Sequence, residues 1–207
     1  MSIKNLIHPV IFASLVFVAI DSYSQTLEEV VVTAQIREQS LQDVPISVSA
    51  VDGEVIEDRS VDNLQSLSAS VPNFYVAETQ IDTTISIRGV RSGANKGFEQ
   101  SVPLNFDGIT YPRSQLARTP LVDLERIEVL RGPQPTLFGK NAIGGVVSVT
   151  SAKPTEEFEG KFSTSHESEH DESQSLLVLS GPLSDNLLGR LTVSTREMDG
   201  WITNERM

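Results

Sequence analysis

Apolar and polar positions alternate along most of this chain, and the period changes from segment to segment. Residues 44–51 (VPISVSAV) step apolar and small polar with period two, which predicts a half-buried strand, and Asp52-Gly53 follow as a turn. Leu64, Leu67 and Val71 share one helical face, with Ser60 or Asp62 as its cap and Pro72 as its stop. Residues 84–90 (TISIRGV) predict a strand, and residues 102–111 (VPLNFDGITY) predict a hairpin turning at Asp107-Gly108. A strand over 124–130 (LERIEVL), ended by Gly132-Pro133, a short helix over 137–142 and a strand over 146–150 complete the stretch. Together they predict an α+β domain of short mixed strands and small helices over residues 41–153, large enough for its own core.

The pattern is different beyond residue 153. Phe158, Gly160, Phe162 and Thr164 alternate with Glu159, Lys161, Ser163 and Ser165, and Leu187, Gly189, Leu191 and Val193 alternate with Arg190, Thr192, Ser194 and Arg196. A further strand over 173–182 and a tight turn at residues 183–186 lie between them. Strands of about ten residues with one oily and one polar face, joined alternately by a short turn and a polar loop, describe the wall of a transmembrane β-barrel. The competing interpretation is a soluble sheet packed on the preceding domain.

The N-terminal residues read as an export signal. Lys4 supplies the positive charge, residues 9–20 (PVIFASLVFVAI) form an apolar core, and Ser22 and Ser24 stand at the −3 and −1 positions of a cleavage site before Gln25. The signal peptide is assigned to residues 1–24, and the alternative is a buried helix of the mature fold. Residues 27–34 (LEEVVVTA) then form a β-prone strip, followed by polar Gln35, Arg37, Glu38, Gln39 and Ser40. With no covering element in view, the strip is free to pair with a foreign sheet edge; its structural alternative is an ordinary first strand.

Charge and composition narrow the chemistry. There are 16 Lys and Arg against 28 Asp and Glu among 207 residues, a net charge of −12, which disfavours nucleic acid as a partner. There is no cysteine, which excludes disulfide scaffolds, thiol enzymes and Cys-ligated zinc. Half the excess acid lies between residues 154 and 175, where Glu156, Glu157, Glu159, Glu167, Glu169, Asp171 and Glu172 face Lys161 alone. His166-Glu167-Ser168-Glu169-His170 fits the H-E-x-x-H spacing of zinc peptidases, but that chemistry needs a helix docked by an apolar face, and the neighbours are Ser163, Thr164, Ser165, Asp171 and Glu172. Residues 132–141 (GPQPTLFGKN) mimic a phosphate loop with the wrong glycine spacing and with Asn141 in place of Ser or Thr. No catalytic residue, metal ligand or cofactor is assigned.

In chain order, several motifs resemble one family. Glu28, Glu29, Val30, Val31, Val32, Thr33 and Ala34 resemble the TonB box of TonB-dependent outer-membrane receptors. Val44-Pro45-Ile46, Val71-Pro72-Asn73-Phe74, Ile87-Arg88-Gly89, Phe106-Asp107-Gly108, the run 124–134 (LERIEVLRGPQ) and the run 137–146 (LFGKNAIGGV) then follow in the order of that family's plug domain. Pro135 stands where the family usually has Gly, and Ser148 where it has Asn.

The resemblance implies a plug inside a 22-stranded barrel in the outer membrane of a Gram-negative bacterium. It implies that substrate, such as a ferric siderophore, binds between the outer loops and the plug apex, here near residues 91–98 and 111–116. It further implies that TonB pairs with the box and draws on the plug, and that Arg88 and Arg131 pair with barrel glutamates as a plug-to-wall latch. Residues 25–40 become box and linker, 41–153 plug, and 154–207 about three barrel strands in contact with outer-membrane lipid. Twenty-two strands need upwards of about 220 residues, so the expectation is either the N-terminal part of a receptor or a stand-alone periplasmic TonB-binding module. A zinc peptidase remains the least supported alternative.

Overall fold

The structure is a computed structural model. It describes residues 31–32, 39–40, 42, 44–79, 83–92, 97, 99–168 and 171–199. The expected signal peptide, Glu28, Glu29, Val30, Thr33 and Ala34 lie outside the described residues, as do His170 and residues 93–96.

The first elements among the described residues are two short strands, β1 (Val31–Val32) and β2 (Gln39–Ser40), which pair antiparallel. Strand β3 (Ser47–Asp52) runs directly into helix α1 (Gly53–Asp58), so Asp52-Gly53 opens a helix where the sequence suggests a turn. The reason is contact. A Cβ on Gly53 would lie 1.9 Å from the carbonyl oxygen of Leu124, so only glycine lets the backbone approach this closely, and Ile56 is buried on the helix behind it.

Helix α2 (Leu64–Ser68) buries Leu64 and Leu67. Its cap is Asn63, not Ser60 or Asp62. The Asn63 backbone is extended, its Oδ1 accepts from the Ser66 N–H at 2.8 Å, and Ser66 Oγ lies 3.3 Å from the Asn63 N–H in a capping box. Ser60 instead takes φ +50° just past the end of α1.

Strands β4 (Phe74–Glu78) and β5 (Thr83–Ile87) form a separate antiparallel pair. The sequence pattern hides β4 because Tyr75, on its outward face, is itself a large apolar residue, whereas Phe74 and Val76 face the core. Strands β6 (Leu104–Phe106) and β7 (Ile109–Tyr111) make the expected hairpin. Asp107 and Gly108 both take positive φ, +48° and +84°, the geometry of the tight turn that matches strand twist. A 3-10 turn (Ser114–Arg118) leads to strand β8 (Leu124–Arg131), helix α3 (Pro135–Phe138) and strand β9 (Gly145–Ser151). Helix α3 begins earlier than its expected 137–142. Pro135 sits at the first helical turn, where its fixed φ is tolerated, and Gly139 at φ +88° ends the helix.

Five strands form one sheet in the order β3-β8-β9-β6-β7, antiparallel except for β6 beside β9. Its two faces bury two clusters. Ile127, Val129, Val147 and Val149 pack with Leu64, Leu67, Ile85, Ile87 and Leu104 on one side. Leu130, Val146, Phe138 and Ala142 gather on the other. Glu128 is fully buried in β8, with Arg126 Nε 2.8 Å from its Oε1. A buried ion pair of this kind was not foreseen from the sequence, and breaking one side typically costs about 3–5 kcal/mol.

The last three strands, β10 (Glu159–Glu167), β11 (Glu172–Ser184) and β12 (Leu187–Glu197), form an antiparallel sheet of their own. The period-two reading holds across its ladder. Phe162, Leu177 and Val193 line up in one outward row, with Leu179 and Leu191 in another, and all are exposed. Lys161, Val178 and Thr192 form an inward row, and Val178 and Ser180 are buried against the plug. Among the described residues His166 and Glu167 end strand β10, so the H-E-x-x-H run does not begin on a helix. Strand β11 outruns its expected 173–182 by a residue or two at each end.

Truncating a fully buried leucine in the first cluster leaves a cavity among packed neighbours. Leu67→Ala is expected to lower unfolding free energy by about 2–5 kcal/mol, measured as a shift of the urea midpoint of the plug's tertiary signal with an unchanged slope.

Candidate partner-binding strand and plug latch

The valine strip does not stand free. Val32 is fully buried in the second cluster, against Val44, Leu130, Phe138, Ala142 and Val146. Its backbone pairs with Gln39, and that of Val31 with Ser40. The expectation of an uncovered ribbon is corrected: Gln39–Ser40 pair with it as β2, and the second face of the sheet supplies an apolar seat for one valine. Among the described residues the ladder has two residue pairs, and Gln39 buries its side-chain oxygen with no hydrogen-bond partner there. An unsatisfied buried acceptor costs about 1–3 kcal/mol, so the docked state is shallow.

Arg88 and Arg131 come together at one end of β8. Arg88 takes φ +51° in the turn after β5, its N–H donating to the Asn73 carbonyl at 2.9 Å. Arg131 donates from Nη2 to Ser49 Oγ at 2.7 Å and to the Pro72 carbonyl at 3.0 Å. Burial, and then the neighbouring Arg88 charge, press the Arg131 guanidinium below its ordinary pKa. Among the described residues neither guanidinium meets a carboxylate. The Arg131 guanidinium is thus held by backbone and hydroxyl oxygens beside a second positive charge.

The opposite end of β8 has the opposite sign. Asp123, at φ +53° just before the strand, accepts from Arg190 Nε at 2.8 Å and from Arg190 Nη2 at 2.5 Å, and Thr192 Oγ1 donates to the same carboxylate. The pair is largely buried, at 11% and 19% side-chain exposure. Two more plug acids reach the wall: Glu57 pairs with Lys161, and Asp62 lies 3.6 Å from Arg196. These contacts were not anticipated, although the alternation already put Lys161, Arg190 and Arg196 on the polar face of their strands.

A family model, the TonB-dependent receptor plug domain, matches residues 40–146. The chain is 33% identical over 189 residues to the iron-regulated outer membrane virulence protein of Vibrio cholerae, covering 85% of this chain and 28% of that protein. It is 30% identical over 185 residues to the vitamin B12 transporter BtuB of Vibrio vulnificus, covering 87% of this chain and 30% of that protein. Among solved structures, the ferric yersiniabactin uptake receptor FyuA of Yersinia pestis superposes with a TM-score of 0.65 at 31% identity, over 72% of this chain and 24% of FyuA.

The fold is therefore a receptor plug followed by the first strands of a barrel wall. The chain belongs to the TonB-dependent outer-membrane receptor family, whose members are receptors and transporters rather than enzymes. It spans 28% to 30% of the length of these curated relatives. Its location is the outer membrane of a Gram-negative cell.

The Asp123 carboxyl has a definite pH signature. Its hydrogen bond from Arg190 holds its pKa below the ordinary value, against an opposing push from burial; Thr192 and the Arg190 and Lys161 charges add to the lowering. A depressed carboxylate stabilises the fold fully above the unfolded-state value near 3.9 and loses that contribution as pH falls toward the folded value. Urea midpoints of wild type and Asp123→Asn are therefore expected to keep a constant gap from pH 7 to pH 5. The gap should narrow only below about pH 4.

Proposed function

We propose that this chain supplies the plug and first wall strands of a receptor for energised uptake, with TonB as its partner and ferric siderophores as its substrate class. The observation that carries this is the shallow docking of Val31–Val32 through two ladder pairs beside a linker strand, within a motif of TonB-box composition. A strip held so lightly is exchanged at little cost from β2 to a foreign sheet edge, which offers a longer ladder. Residues 28–34 act as that strand. The substrate class is supported by the iron-regulated relative and by the ferric yersiniabactin receptor.

The Arg88 and Arg131 pair is the plug side of a latch whose wall side is a carboxylate. That neither meets a carboxylate among the described residues supports this role, since a guanidinium fork matches a carboxylate. Outer-membrane lipid meets the outward rows of Phe162, Leu177, Leu179, Leu191 and Val193.

Capture of the chain by immobilised TonB periplasmic domain tests the box. Val31→Pro removes the backbone donor from the strip and is expected to abolish capture. Val32→Ala keeps the donor but weakens the seat, and is expected to strengthen capture at equal TonB concentration. Retention of full capture by Val31→Pro overturns the strand-pairing role. For the latch, Arg131→Ala placed in a full-length relative is expected to raise ion leak across planar bilayers, and unchanged leak excludes it.

A further inference from the structure

The sequence holds three Asp-Gly bonds, at residues 52–53, 107–108 and 199–200, and both residues of the first two lie among the described residues. Such a bond is intrinsically reactive, because no side chain on the glycine obstructs the approach of its nitrogen to the aspartyl carboxyl group. The fold treats these two bonds differently. Asp107 and Gly108 form the turn between β6 and β7, and every group the reaction needs is engaged. The Asp107 carboxylate accepts from the Ser151 N–H at 2.8 Å and from Ser151 Oγ at 2.8 Å, and the Gly108 N–H donates to Asn105 Oδ1 at 3.1 Å. Asp52 and Gly53 join β3 to α1. Asp52 is the last of six ladder pairs between β3 and β8, so its backbone is held opposite Arg126. Its side chain is exposed and makes no capping hydrogen bond to α1, and the Arg126 guanidinium is given to Glu125 and Glu128. Gly53 opens the helix, where an N–H has no acceptor within the helix. The glycine is fixed by packing, since a Cβ there would lie 1.9 Å from the Leu124 carbonyl oxygen.

We infer that Asp52-Gly53 is a site of spontaneous backbone modification, where Asp52 closes to a succinimide and reopens as isoaspartate, and that Asp107-Gly108 is shielded from the same reaction. The Gly53 nitrogen attacks Cγ of the protonated Asp52 carboxyl group. The N–Cγ bond forms, a Cγ–O bond breaks, and the hydroxyl leaves with the amide proton as water. Water then adds back to the ring. Cleavage between the Gly53 nitrogen and Asp52 Cγ restores aspartate. Cleavage between that nitrogen and the Asp52 main-chain carbonyl carbon leaves the chain running through Cγ, one methylene longer. Water is the only co-reactant. The added methylene falls where the chain has no slack: Asp52 is in register with Arg126, Gly53 is packed against Leu124, and Ile56 is buried on the helix. Isoaspartate at residue 52 therefore cannot keep both the register of β3 and the seat of α1. The inference does not depend on the TonB reading.

Timed incubation of the full chain in detergent micelles, warm and at mildly acidic pH, tests this, with isoaspartate located by electron-transfer fragmentation of the derived peptides. A parallel incubation in urea gives the intrinsic rate of each bond. The folded chain is expected to gain isoaspartate at residue 52 at least about tenfold faster than at residue 107, where the turn's hydrogen bonds must open first. In urea the two bonds are expected to react alike. Ser151→Ala frees Asp107 Oδ2 and is expected to speed residue 107 about fivefold in the folded chain, with residue 52 unchanged. Asp52→Glu, which would have to close a larger and slower ring, is expected to leave its bond unmodified. The chain carrying isoaspartate at residue 52 is expected to exchange the amides of α1 at least about tenfold faster than the unmodified chain, with β9 unchanged. Equal folded-state rates at the two bonds, or residue 52 slowed by folding as much as residue 107, overturn the inference. So does a residue 107 indifferent to Ser151→Ala, or an α1 indifferent to the modification. Absence of TonB capture leaves these rates untouched and removes the TonB reading alone.

Discussion

Strand β8 depends on charge at both ends. Arg131 closes one end beside Arg88, and Asp123 precedes the other end, held by Arg190 and Thr192. Between them the strand is almost wholly buried and carries its own ion pair, Arg126 with Glu128. Charges in such surroundings are costly unless partnered, so each restricts where β8 can lie. The neighbours follow: β3 and β9 take their register from β8, and the helices fill the faces left on either side.

The docked valine strip is the second consequence. Its seat is made of Leu130 from β8 and Val146 from β9, together with Phe138 and Ala142 from the segment that joins them. The strip is thus packed against the strand that carries Arg131. Val32 therefore lies in one cluster with Leu130 of β8. Among the described residues, one buried valine and two ladder pairs hold the strip.

Much of this was legible in the residues. Period-two alternation located β3 and the outward rows of the wall, and Asp107-Gly108 announced its hairpin because both positions need positive φ. The plug was recognisable from ordered motifs rather than from physics alone. What was hidden depended on tertiary contact. Gly53 looks like a turn residue until Leu124 is seen against it. Asn63 displaced Ser60 and Asp62 as the cap because Ser60 is taken up at positive φ just past the end of α1, and Asn63 is the extended residue directly before Leu64. The valine strip looked uncovered because its cover comes from residues about 100 positions further along. Asp123 carries no local signal, since its partner lies 67 positions away.

The position of β9 has a consequence for biogenesis. It is the last plug strand in the chain, yet it lies between β8 and β6 at the middle of the sheet. A chain threading across the inner membrane from its N-terminus therefore delivers two incomplete halves, β3 with β8 and β6 with β7, that nothing joins until residues 145–151 emerge. The oily strands of the wall follow immediately behind. The plug sheet is therefore completed only as the exposed apolar rows of the wall begin to follow it.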